Sequence, residues 1–77
     1  MAKVLFDGWN YGLRKISLTE LIQSKAILPL NEAKEFTNQL LDGKKFAIEI
    51  DGIEQATDLV KEATAEEAVC EIIEDND

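Results

Sequence analysis

The chain's one proline, Pro29, stands between two segments that both carry helical spacing, and this limits what the chain can fold into. The proline ring disfavours the α conformation in the residue before it, so a helix arriving from the N-terminal side stops at this point. Ahead of it, Leu18, Leu21 and Ile22 recur at i, i+3 and i+4, one helical face. Behind it, Ala33, Phe36, Leu40 and Leu41 mark the buried face of a second helix from about Leu30 to Leu41, closed by Asp42-Gly43 with Gly43 at C′. Ser17 followed three residues later by Glu20 has the form of a capping box for the first helix, with Ile16 packing on Leu21 across it. The expected unit is two helices and a tight joint, with small Ala33 where two backbones approach.

The flanks read as sheet and one more helix. Lys3-Val4-Leu5-Phe6 is a short strand, followed by a turn signal at Asp7-Gly8 and a glycine-framed loop, Trp9-Asn10-Tyr11-Gly12. Residues 45–50 alternate, with Phe46, Ile48 and Ile50 on one side and Lys45, Ala47 and Glu49 on the other, a half-buried strand. Asp51 is the expected cap of a third helix, about 53–63, whose apolar face is Ile53, Ala56, Leu59, Val60 and Ala63. Residues 68–73 are rich in β-formers and predict a last strand, with residues 74–77 as a frayed tail. The order is β-α-α-β-α-β over 77 residues, one domain spanning 1–77. The economical solution is an α+β fold in two layers: a small three-stranded antiparallel sheet with three helices packed on one face. Ala33, Phe36, Leu40, Ile48, Leu59, Val60 and Ile72 are the expected core.

Composition narrows the chemistry. The net charge is −8, unevenly spread. Residues 1–45 hold seven Lys/Arg against five acids, a balance of +2, whereas residues 46–77 hold Lys61 against eleven acids, a balance of −10. An acidic half of this kind disfavours nucleic-acid phosphates. It serves solubility or suits a basic partner. The single cysteine, Cys70, excludes an intrachain disulfide and reads as a small buried hydrophobe in an apolar run. There is no histidine, no Cys/His cluster and no phosphate-cradling glycine loop, and the carboxylate pairs Glu32/Glu35, Asp51/Glu54 and Glu66/Glu67 read as helix-start and solvated-face acids. Catalysis, a metal site and a cofactor are not expected, and the chain is short for a pocket of roughly 300 Å³ or more that would bury a substrate. No apolar run approaches the roughly 20 residues that span a bilayer, and the N-terminus lacks a signal-peptide pattern, so a cytoplasmic location is expected. Trp9 and Tyr11 are either interface anchors or, for Trp9, a lid on a thin core.

The joint reads Ile27-Leu28-Pro29-Leu30-Asn31-Glu32-Ala33-Lys34. In this and in element order, residues 2–74 resemble the C-terminal domain of the bacterial ribosomal stalk protein (L-seven/L-twelve), whose joint is Gly-Leu-Gly-Leu-Lys-Glu-Ala-Lys. Leu28, Leu30, Glu32, Ala33 and Lys34 match. The resemblance implies a non-enzymatic module that contacts translation factors or the ribosome through its first helix pair. On this chain that surface would be Lys15, Gln23, Pro29, Glu32 and Lys34, with Trp9 and Tyr11 as further anchors. The family's lysine and arginine along the first helix correspond to Glu20 and Gln23, and its second joint glycine to Pro29. Its N-terminal dimerisation segment has no counterpart here, so the expectation is a stand-alone relative, monomer or weak dimer, with a protein partner. The competing reading is a small acidic inhibitor or nucleic-acid mimic that blocks a basic protein surface with residues 49–77.

Overall fold

Ala2, Val4 and Phe6 alternate along the first strand with the less buried Lys3 and Leu5, so one face of the strand is core and the other is partly solvated. In the computed structural model, which describes residues 1–75, this strand is the centre of the sheet. The elements are β1 (Ala2–Trp9), α1 (Lys15–Ala26), α2 (Leu30–Leu41), β2 (Phe46–Ile50), α3 (Ile53–Ala65) and β3 (Ala68–Asp75). The strand order is β2-β1-β3, and both neighbours run antiparallel to β1. Val4 pairs with Ile48 on one side and Ile72 on the other, and Phe6 with Phe46 and Cys70, so matched apolar side chains meet the helices. This is the α+β fold expected, with the helices on the apolar face.

Helix packing fills that face. Leu18 and Ile22 from α1, Ala33 and Leu40 from α2, and Ala56, Leu59 and Ala63 from α3 are fully buried. Phe46 stacks on Phe6 with ring centroids 5.1 Å apart and meets Phe36 at 4.9 Å, which ties β2, β1 and α2 together. Of the expected core, Ala33, Leu40, Ile48 and Leu59 are buried, whereas Phe36, Val60 and Ile72 lie half-buried against it.

Several local expectations need correction. Asp7-Gly8 is no turn: β1 runs on to Trp9, and the ladder to β3 steps from Phe6↔Cys70 to Gly8↔Val69, leaving Asp7 as the extra residue of a bulge. Its carboxylate sits 2.9 Å from Lys45 Nζ, which raises the Lys45 pKa above the ordinary lysine value, chiefly through the hydrogen bond and then through the charge. The capping box is absent. α1 starts at Lys15, two residues before Ser17, behind Arg14 in extended conformation and without a side-chain cap. Tertiary contact sets this start: the Arg14 N–H donates to the Glu66 carbonyl at 3.3 Å, and Leu18 N–H closes the first turn on the Arg14 carbonyl at 2.9 Å. Ile16 is therefore no staple and lies 76% exposed. α3 is preceded by Gly52 at φ 97, not capped by Asp51. Glu74 and Asp75 belong to β3, opposite Lys3 and Ala2, and Glu74 pairs with Lys3 Nζ at 3.5 Å; residues 76–77 of the expected tail lie outside the described residues.

These assignments separate two substitutions. Phe6→Ala removes a fully buried ring from the central strand and should cost roughly 3–5 kcal/mol. Ser17→Ala should stay within about 0.5 kcal/mol, since no cap is lost. Denaturant unfolding of both variants checks this; a cost above about 1 kcal/mol for Ser17→Ala would restore the cap.

Candidate interaction groove

α1 and α2 form a helical hairpin closed by three residues. Ile27 takes the left-handed conformation, φ 53 and ψ 55, at the end of α1. Its N–H and that of Leu28 both donate to the Gln23 carbonyl, the latter at 3.1 Å, which satisfies the end of the helix. Pro29, extended at φ −60 and ψ 154, then starts α2, where its missing N–H costs nothing. Ile27 is a β-branched residue in a region that favours glycine, and its side chain is 81% exposed, so no packing offsets the strain.

The seam between the two helices is lined by small and hydroxyl side chains. Ala33 is fully buried, as is Thr37, and Thr19 is 6% exposed. Thr19 Oγ1 lies 2.9 Å from the Lys15 carbonyl oxygen and 2.8 Å from Thr37 Oγ1, and Thr37 Oγ1 lies 3.2 Å from the Ala33 carbonyl oxygen. Two hydroxyl protons serve these contacts, so one threonine donates within its own helix while the other bridges the seam. Every buried oxygen of the pair is satisfied.

Because the seam is narrow, bulkier side chains flank it. Lys15, Ile16, Thr19, Glu20, Leu30, Lys34 and Asn38 line an open groove of about 470 Å³. Ile16 is 76% and Leu30 45% exposed, so the groove offers apolar side chains on both helices with ionised ones between and beside them. Lys15 and Lys34 make no ion pair among the described residues, whereas Lys3, Arg14, Lys25 and Lys45 are each paired with an acid. A second open depression, about 310 Å³, lies on the other flank of α2 between Leu28, Glu32, Glu35, Phe36 and Gln39. Both are open depressions on the helix surface and neither encloses a ligand.

The structure thus brings Lys15 and Lys34 together and separates the other expected contacts. Gln23 is half-buried and acts through its carbonyl at the joint; Pro29 is exposed at the start of α2; Glu32 belongs to the second depression. Trp9, 42% exposed at the end of β1, and Tyr11, 99% exposed in the turn after it, line neither groove. That turn is held by the Asn10 N–H donating to the Glu67 carbonyl at 2.8 Å. Ile16, Leu30, Thr19 and Asn38 were missed. A signal existed for Ile16: at about 100° per residue it falls roughly opposite Leu18 and Ile22, off the core stripe.

Elsewhere the chemistry is sparse. Cys70 is half-buried with its thiol 3.9 Å from the Val60 carbonyl, and burial pushes its pKa up against a smaller lowering by a hydrogen bond with Thr64. Among the described residues no three His, Cys, Asp or Glu side chains converge as metal ligands, and no helix is long and apolar enough to cross a membrane. No protein-family model, no curated protein and no solved structure matches the chain.

Ile27→Gly should stabilise the domain by about 1 kcal/mol through relief of the left-handed conformation, partly offset by glycine's entropy. For a domain of this size that raises Tm by roughly 4–8 °C. A melting curve shifted downward would show that the Ile27 side chain is needed by the fold.

Proposed function

We propose that this chain is a non-enzymatic protein-interaction module of the ribosomal stalk C-terminal type, acting in the cytoplasm and meeting a translation factor through the α1–α2 groove. The observation that carries the reading is the pair of unpaired lysines, Lys15 and Lys34, beside the exposed Ile16 and Leu30 in one groove. Exposed apolar side chains among polar ones suit protein recognition, and the free cations steer an acidic partner. The order of elements, and Leu28, Leu30, Glu32, Ala33 and Lys34 of the joint, support the reading. Glu20 lines the same groove where the family carries positive charge, so association should be slower than for an authentic stalk domain.

Titration against a purified translational elongation factor tests this. Wild type should bind much more weakly than an authentic stalk domain. Glu20→Lys should raise affinity by roughly tenfold, mostly through on-rate, with the gain fading as salt rises. Gln23→Arg should add little, since Gln23 lies outside the groove. Tight wild-type binding that ignores Glu20→Lys would place the contact on another surface.

A second reading rests on the solvated face of the sheet. Glu49, Glu71 and Glu74 are exposed there around Lys3, which pairs with Glu74. That face would suit a basic protein surface and carries the acidic-inhibitor or nucleic-acid-mimic reading. A basic partner lost steeply with salt, and indifferent to Glu20→Lys, would favour it.

A further inference from the structure

Copies of a chain with net charge −8 repel one another, so they can meet only where charge is locally balanced. Residues 15–42, the α1–α2 hairpin and its end, hold three lysines and four acids, a balance of −1, whereas residues 46–77 carry −10. The hairpin also displays Ile16 and Leu30. Six of its ionised side chains are exposed and make no ion pair among the described residues: Glu32 and Glu35 line the second depression, on the other flank of α2, and Lys15, Glu20, Lys34 and Asp42 remain.

Their positions along the hairpin are complementary. The Thr19–Thr37 hydrogen bond marks one level of the seam. At about 1.5 Å per residue, Glu20 lies about 1.5 Å and Lys34 about 4.5 Å from that level toward the joint. On the same scale, Lys15 lies about 6 Å and Asp42 about 7.5 Å from it in the opposite direction. A two-fold axis along the seam lays α1 of one copy over α2 of another and preserves these levels. Glu20 then faces Lys34 of the second copy, and Lys15 faces Asp42 of the second copy, each pair occurring twice. Ile16 and Leu30 of each copy enter the contact.

We propose that two copies of this chain associate face to face through the α1–α2 hairpin, with Glu20–Lys34 and Lys15–Asp42 pairs across the two-fold. The second copy is the occupant because the hairpin's free charges include both signs at matching levels. A standard interface takes about 800 Å² from each partner, and the hairpin is one face of a chain that exposes 4742 Å² in all, so the dimer forms as concentration rises. It covers the same groove as the proposed partner, so a partner and the second copy compete for it.

Sedimentation equilibrium over a wide concentration range tests the dimer without any translation factor, so its outcome is independent of whether such a factor binds. The average mass should climb from 8.6 kDa toward twice that value. Glu20→Lys alone and Lys34→Glu alone should each weaken association roughly tenfold, because symmetry makes every replacement count twice. The combined Glu20→Lys/Lys34→Glu variant should return to within about threefold of wild type, since the pairs are re-formed with signs exchanged. Ile16→Ser should weaken the dimer while its melting temperature stays at the value of dilute wild type. A mass of 8.6 kDa throughout, a dimer indifferent to the single reversals, or a double reversal as weak as either single one would overturn the proposal.

Discussion

The close approach of α1 and α2 decides what the surface of this domain can offer. Ala33 and the threonine pair occupy the seam, and none of them is bulky enough to hold the helices apart. Two buried hydroxyls would each cost free energy if left unbonded, but each has an oxygen within reach, so the polar link fixes the crossing without a penalty. With the seam filled by small groups, Leu18, Ile22 and Leu40 turn to the sheet, and Ile16 and Leu30 are left outside. The exposed apolar side chains of the groove follow from how the core is packed.

Much of the fold was legible because its signals are local and periodic. The limits of α2, the alternation of β2 and the buried face of α3 could be read from spacing alone. What failed depended on contacts between distant segments. Ser17 and Glu20 have the right residue types for a capping box, yet the start of α1 is set by Arg14 held against Glu66. Asp7-Gly8 has turn chemistry, yet pairing with β3 carries the chain through it as a bulge. Thr19 and Thr37 look like surface residues until the two helices are brought together. The same holds for the groove: Lys15 and Lys34 could be named from the sequence, but their shared setting with Ile16 and Leu30 is a product of the hairpin.

Charge divides the molecule into two regions with different uses. α3 and β3 carry most of the negative charge, and Lys25 lies 3.9 Å from Asp58 and 3.6 Å from Glu62, which links α3 to α1. The hairpin is close to neutral and is where apolar side chains and unpaired cations coincide. For the proposed acidic partner or second copy, long-range repulsion from the acidic half would favour approach at the hairpin.

The proposed contact surface, for a partner and for a second copy alike, is the outer face of α1–α2. Chemical-shift mapping by NMR, first over a concentration series and then with an elongation factor added, tests it most directly. The methyl groups of Ile16 and Leu30 and the amides of Lys15, Glu20 and Lys34 should move, while Val69 and Ile73 on β3 stay in place. Shifts confined to β3 and the solvated sheet face, or no shifts in either series, would contradict it.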